Sequence, residues 1–411
     1  MTHVALDLER LEDTTVARNG YLIFDADTHV GPTMDVLEGY LASPERAALE
    51  PLGDLRRVNK RTGQISYHAG ERKYERRLGE PAARPADPRA YMGAYSGAHK
   101  GRDPDPRVDH DPAARIADMD SEGVDVNLLL PSGWFGTWTT VEDIGQELAL
   151  YRAYHRWMAD YCSVYPDRLS GVILVSGRDV PGSLAEVERC AAQPWALALF
   201  CYAPYGMPLD HPDLEPYWAA AQRHDLAVVL HTFTVMPPYA PGGLDTWDNL
   251  WLQRSAAHPW CGMRNMAALI GAGVLDRYPN LRLGVLEAGH GWLPFWARRL
   301  DEHAESVARA LPPLKCKPTD YITSGRFFQT IEMSEGVELT KAVIQLLGED
   351  ILMYASDYPH GESWFPKSVD TVMAWDLPEP IKRKLFWDNA ARFYRRFKQA
   401  PVGAAPTTAR V

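Results

Sequence analysis

Apolar residues in this chain come in short bursts separated by longer segments of helical period. The bursts are YLIFDAD (21–27), VDVNLLL (124–130), SGVILV (170–175), ALALFC (196–201), LAVVLH (226–231), LRLGVLE (281–287), RFFQT (326–330) and ILMYA (351–355). Such near-continuous apolar runs suit parallel strands buried on both faces. Between and after them, helices are predicted over PAARIADMDSEG (112–123), GQELALYRAYHRWMADYCSVYP (145–166), LEPYWAAAQRHD (214–225), the stretch from Asn265 to Tyr278, and PEPIKRKLFWDNAARFYRRF (378–397). Eight strands, seven crossovers and a closing helix predict an α/β fold, a (β/α)8 TIM barrel. An open doubly wound sheet would want a Gly-rich first turn, and DADTHVGP is not one.

One connection breaks the rhythm. Residues 45–110 are rich in Arg, Pro, Asp and Gly and carry little apolar period, which predicts a long insertion after the first strand, lying over the barrel mouth. Residues 1–20 and 400–411 read as tails, leaving 21–399 as the barrel with its insertion.

Composition narrows the classes. The 411 residues are 46% hydrophobic and 24% charged, ordinary globular usage that can bury a large core. A net charge of -11 argues against nucleic acid as the main partner, since binding phosphates needs a surplus of Lys and Arg. The five cysteines are scattered without a C-x-x-C pair, as expected of reduced thiols. MTHVALDLERLEDTT is too acidic for a secretory signal, and no apolar run reaches the ~18 residues of a membrane span. The expectation is a cytoplasmic protein with no membrane partner.

The polar residues that end the strands are the chemical signal. In an extended chain Asp25, Asp27 and His29 share one face. Asp27 and His29 end the first predicted strand, His231 ends the fifth, Glu287 ends the sixth with His290 just beyond, and Asp357 follows the eighth. Carboxyl ends of strands are where this fold carries catalysis. Taken alone, His231 also suits a hydrogen-bonded core histidine and Asp357 a turn carboxylate. Together, two carboxylates and two imidazoles make a mixed oxygen and nitrogen site for a divalent transition metal.

The stretches FDADTHVGP, RIADMDSEGVDVNLLLPS, YPDRLSGVILV, LEPYWAAAQRHDLAVVLHT, LEAGHGWLPFWARRLDEH, ASDYPHGES and IKRKLFWDNAARFYRR resemble the amidohydrolase superfamily. The likeness is to its amidohydrolase-related branch, typified by aminocarboxymuconate-semialdehyde decarboxylase and the hydroxybenzoate decarboxylases. The resemblance implies metal ligands at Asp27, His29, His231 and Asp357, with zinc or manganese as the ion; Asp27 stands where many members have His or Glu. Strand six departs from the branch pattern H-x-G-x-x-L-P. Counting back from Pro294, the catalytic His position holds Ala288, with Glu287 one residue early and His290 two residues late. Either His290 or Glu287 takes over the acid–base role.

The resemblance implies an enzyme, a metal-dependent non-oxidative decarboxylase of a small aromatic or unsaturated carboxylic acid, with Asp357, His290 and Glu287 as catalytic candidates. The alternative is hydrolysis of an amide, lactone or related bond by metal-activated water. A catalytically inactive barrel is a third reading, against which the complete ligand set argues. Aromatic residues that follow strands two and five, Trp134, Phe233 and Trp247 among them, are candidates for binding a small-molecule substrate. Homo-oligomers are common among the relatives, and nothing in the chain locates an interface.

Overall fold

Strand and helix alternate as the apolar pattern requires in the computed structural model, which describes residues 20–49, 56–58, 65–67, 101–132, 143–204, 207–231, 255–256, 258–310 and 313–398. The strands are β1 (Phe24–Val30), β2 (Val126–Pro131), β3 (Leu169–Ser176), β4 (Ala196–Tyr202), β5 (Ala227–His231), β6 (Leu283–Leu286), β7 (Phe327–Thr330) and β8 (Leu352–Met353). They form one parallel eight-stranded sheet in sequence order. Every residue of β2 and β3 is buried, the signature of strands covered inside and out.

The sheet closes on itself. Ala26 N–H donates to Tyr354 O at 3.0 Å, Asp357 N–H to Asp27 O at 3.1 Å, and His29 N–H to Tyr358 O at 2.6 Å. With β8 only two residues long, the seam is carried mainly by the chain just after it. The result is the (β/α)8 barrel that the strand count predicts.

Three helices start where an aspartate accepts from their first amides. Helix α1 (Pro112–Glu122) is capped by Asp111, which accepts from Ala113 N–H, and ends at Gly123 in the left-handed conformation, φ 84°. Asp143 and Asp179 cap α2 (Ile144–Ser163) and α3 (Val180–Cys190) in the same way. The ring continues with α4 (Glu215–Arg223), α5 (His258–Gly271), α6 (Leu293–Ser306) and α7 (Gly336–Leu347). Helix α5 begins seven residues before the predicted Asn265. The predicted closing helix is broken into Glu379–Arg383, a π-helical turn Lys384–Asp388, and α8 (Asn389–Phe393). Asn389 donates through Nδ2 to the carbonyls of Glu349 and Leu352, tying this segment to β8.

Of the 45–110 insertion, the described parts are the end of a helix over Ser43–Leu49, a two-stranded hairpin (Arg56–Val58 with Ile65–Tyr67) and the returning arm from residue 101. Residues 68–100 and the two tails, apart from Gly20, lie outside the described residues. Among the described residues no helix is long and apolar enough to cross a membrane, and the five cysteines are free.

The end of α8 plugs the barrel against β6, where a side chain on Gly284 would stand 2.3 Å from Phe393 Cζ. Gly284→Ala is therefore expected to lower stability by about 1–3 kcal/mol through overpacking. The measurement is the urea midpoint, which should fall with its slope unchanged; a midpoint equal to wild type would refute the close fit.

Candidate metal centre

Barrel closure brings the polar strand ends to one point. His29 Nε2 lies 3.4 Å from Asp27 Oδ1, 3.3 Å from Asp357 Oδ1 and 3.8 Å from Glu287 Oε2. His231 Nε2 lies 3.0 Å from Glu287 Oε2 and 3.6 Å from Asp27 Oδ1. All five side chains are buried. Donor atoms of Asp27, His29 and His231 fall within 4.8 Å of one another, as do those of His29, Glu287, Asp357 and His360.

Backbone geometry aims two of these acids. Glu287 and Asp357 sit just past β6 and the β8 seam with φ of 47° and 57°. Left-handed backbone costs a residue other than glycine roughly 1–2 kcal/mol. Such strain clusters at functional sites, where the surroundings hold it in place.

The tautomer of His29 tests whether a metal fits. Its Nδ1 is 3.1 Å from Pro131 O, an acceptor only, so Nδ1 carries the proton and Nε2 presents a lone pair. That Nε2, and Asp27 Oδ1 facing it, are buried with no hydrogen-bond partner among the described residues. Burial first, then the neighbouring His360, push the His29 pKa down to about 4, so the ring is neutral. A bare imidazole nitrogen aimed at carboxylates is what a divalent transition metal requires. Burial alone would raise Asp27, but His231 and His29 outweigh it and hold its carboxyl below the usual range. Burial would lower His231, yet Asp27 and Glu287 raise it well above an ordinary histidine; a cation and a proton compete for the same nitrogen. The donor set fits.

Further residues hold the centre from behind. The Asp25 carboxylate accepts from Ser356 N–H at 3.0 Å and from the Ser356 hydroxyl, so it orders the turn before Asp357 rather than joining Asp27 and His29. Arg115, fully buried, donates to His29 O. His360 stacks on the His29 ring at 3.9 Å, with Nδ1 at 2.7 Å from Asp357 Oδ1 and Nε2 at 2.9 Å from Ser132 Oγ.

His290 is the predicted site residue that stays outside the cluster. The Thr340 hydroxyl donates to Gly336 O and lies 2.9 Å from His290 Nε2, while His290 Nδ1 lies 2.8 Å from Glu335 Oε2 and 3.1 Å from the Glu332 amide nitrogen. Both ring nitrogens are thus engaged in supporting the strand-seven turn, because the two-residue displacement along the chain turns the imidazole behind the mouth. Glu287, by contrast, stands in the cluster. Trp134, Phe233 and Trp247 lie outside the described residues.

Sequence reasoning missed four neighbours. Glu332 follows β7 as Glu287 follows β6; burial, then the charges of Glu287, Asp357 and Asp27, raise its pKa well above the usual carboxylate range. That strand-end position was the available signal. His258, at the head of α5, places Nδ1 3.4 Å from Glu287 Oε1. Phe200 and Tyr202 stack at 4.9 Å between centroids, and Phe200 lies 6.1 Å from the His231 ring. Their strand period placed both on one face of β4.

Known proteins share this arrangement of chain. The 2-amino-3-carboxymuconate-6-semialdehyde decarboxylase of Dictyostelium discoideum is 25% identical over 291 residues, 69% of this chain and 76% of that one. A gamma-resorcylate decarboxylase of Polaromonas is 22% identical over 300 residues, 68% of this chain and 86% of that one. Among solved structures, 5-carboxyvanillate decarboxylase from Novosphingobium aromaticivorans, with bound manganese, matches with a TM-score of 0.65 at 22% identity, over 93% of this chain and 99% of that one. The family model described as Amidohydrolase matches residues 25–396, a span that contains every residue of the cluster, and the chain belongs to the amidohydrolase family.

Proposed function

We propose that this protein is a metal-dependent non-oxidative decarboxylase of a small aromatic or unsaturated carboxylic acid. The observation that carries the reading is the buried, neutral His29, its bare Nε2 directed at the carboxylates of Asp27 and Asp357. The names of the relatives agree with it: they act on an unsaturated semialdehyde acid and on a hydroxybenzoate.

Asp27, His29, His231 and Asp357 would hold the ion, zinc or manganese, which when bound supplies Lewis acidity to the substrate carboxylate and an adjacent oxygen. The reaction replaces a C–C bond with a C–H bond. A proton is added to the carbon that bears the carboxylate; the C–C bond then breaks, its electron pair returns to the unsaturated system, and carbon dioxide departs. Asp357 delivers that proton, with His360 Nδ1 2.7 Å from its Oδ1 as the neighbour that resupplies it. Glu287, opposite, is the second acid–base group. Phe200 and Tyr202 offer a flat apolar wall beside His231, suited to an unsaturated ring.

One observation favours a second reading. The cluster has the Glu287 carboxylate one position before the place where the branch pattern has an imidazole, and a carboxylate beside a metal-bound water would be a general base for hydrolysis. Product analysis separates the two.

Elemental analysis of the purified protein is expected to find about one transition-metal ion per chain, with Asp27→Ala and His231→Ala retaining far less; no uptake after reconstitution with zinc or manganese would refute the metal centre. In a screen of hydroxybenzoates, unsaturated acids and lactones, turnover should release carbon dioxide, and hydrolysis without it would favour the second reading. With the substrate so found, Asp357→Asn and Glu287→Gln should each lose about 10²–10⁴-fold in kcat. His290→Gln should instead cost about 1–3 kcal/mol of stability, through its buried hydrogen bonds, and leave kcat within a few-fold.

A further inference from the structure

We propose that His258 is a positioning residue for Glu287, fixing which carboxylate oxygen faces the metal centre. The proposal rests on the reading of Glu287 as the acid–base group that replaces the imidazole on strand six.

Contacts on both of its oxygens and on its backbone help to hold Glu287. Its Oε2 faces His231 Nε2 at 3.0 Å, its Oε1 faces His258 Nδ1 at 3.4 Å, and its backbone N–H donates to Thr330 Oγ1 at 3.2 Å. The two imidazoles stand on different oxygens, so together they set the plane of the carboxylate. Loss of His258 would remove the imidazole that faces Oε1, and with it one constraint on rotation about the last side-chain bond of Glu287.

The fold places His258 deliberately. It is the first residue of α5 and buried, and Gly262 lies one turn further on the same face of that helix. A side chain at Gly262 would come within 2.9 Å of both Val285 Cγ1 and Ala288 Cβ, which flank Glu287 in the chain. The missing Cβ therefore lets α5 lie against the end of β6, and that approach carries His258 to Glu287.

The test uses cobalt(II) as the probe, loaded into the purified full-length protein, with the visible absorption spectrum and cobalt retention against a chelator as readouts. His258→Leu is expected to shift the cobalt spectrum and to weaken retention or activity about 10–100-fold, as loss of a residue that orients a group at a metal site does. His258→Gln, whose amide can still donate to Oε1, should keep the wild-type spectrum. Gly262→Ala leaves every polar group in place while pushing α5 off β6, so it should move the spectrum in the same direction as His258→Leu even where the leucine variant folds poorly. A wild-type spectrum in both His258→Leu and Gly262→Ala would overturn the positioning role alone. Failure of the wild-type protein to take up cobalt would overturn the metal-centre reading, and this proposal with it.

Discussion

The hydrogen bonds that close the barrel are the constraint from which the site follows. Asp357 N–H reaches Asp27 O, and His29 N–H reaches Tyr358 O, across the seam between the first strand and the chain after the last. Residues more than three hundred positions apart become neighbours along a backbone ladder. The carboxylate of Asp357 and the imidazole of His29 need no further device to meet, because the register of the seam has already brought them together.

What closure assembles is electrostatically costly. The buried Asp27, Glu287 and Asp357 crowd together with the half-buried Glu332 beside them, and gathering carboxylates away from water is unfavourable. In the protein alone the strain is divided: His231 takes up positive charge, Glu332 is driven towards its neutral form, and His29 stays neutral. A divalent cation relieves the same crowding more directly. The left-handed backbone at Glu287 and Asp357 belongs to this balance, since acids forced into a shared volume must be aimed as well as neutralised.

Much of this was legible in the chain. Strand runs bounded by polar residues marked the barrel, and the positions at their carboxyl ends marked Asp27, His29, His231, Glu287 and Asp357, all of which converge. The residues that sequence reading misplaced or missed are those set by turns and packing. His290 and Glu287 are three positions apart on one short turn, and only its φ angles decide which faces inward. His258 owes its place to Gly262, whose significance lies in an absent methyl group against β6. Periodicity records which face of an element is apolar, and it is silent on how closely two elements approach.

The long insertion is tied to the barrel at both ends: where it leaves, Glu45 accepts from Arg152 Nε–H of α2 at 2.7 Å, and the returning arm is held by several side chains. Gly31 N–H donates to the carboxylate of Asp109, 78 positions later, and Asp118 gathers Arg102, the Asp105 amide and the Tyr358 hydroxyl. Once its ends are pinned in this way, the chain between them can change in length at little thermodynamic cost, about 0.6 kcal/mol for a doubling. A segment tied down in this way can be lengthened, shortened or rewritten while the strand ends that carry the polar cluster keep their register.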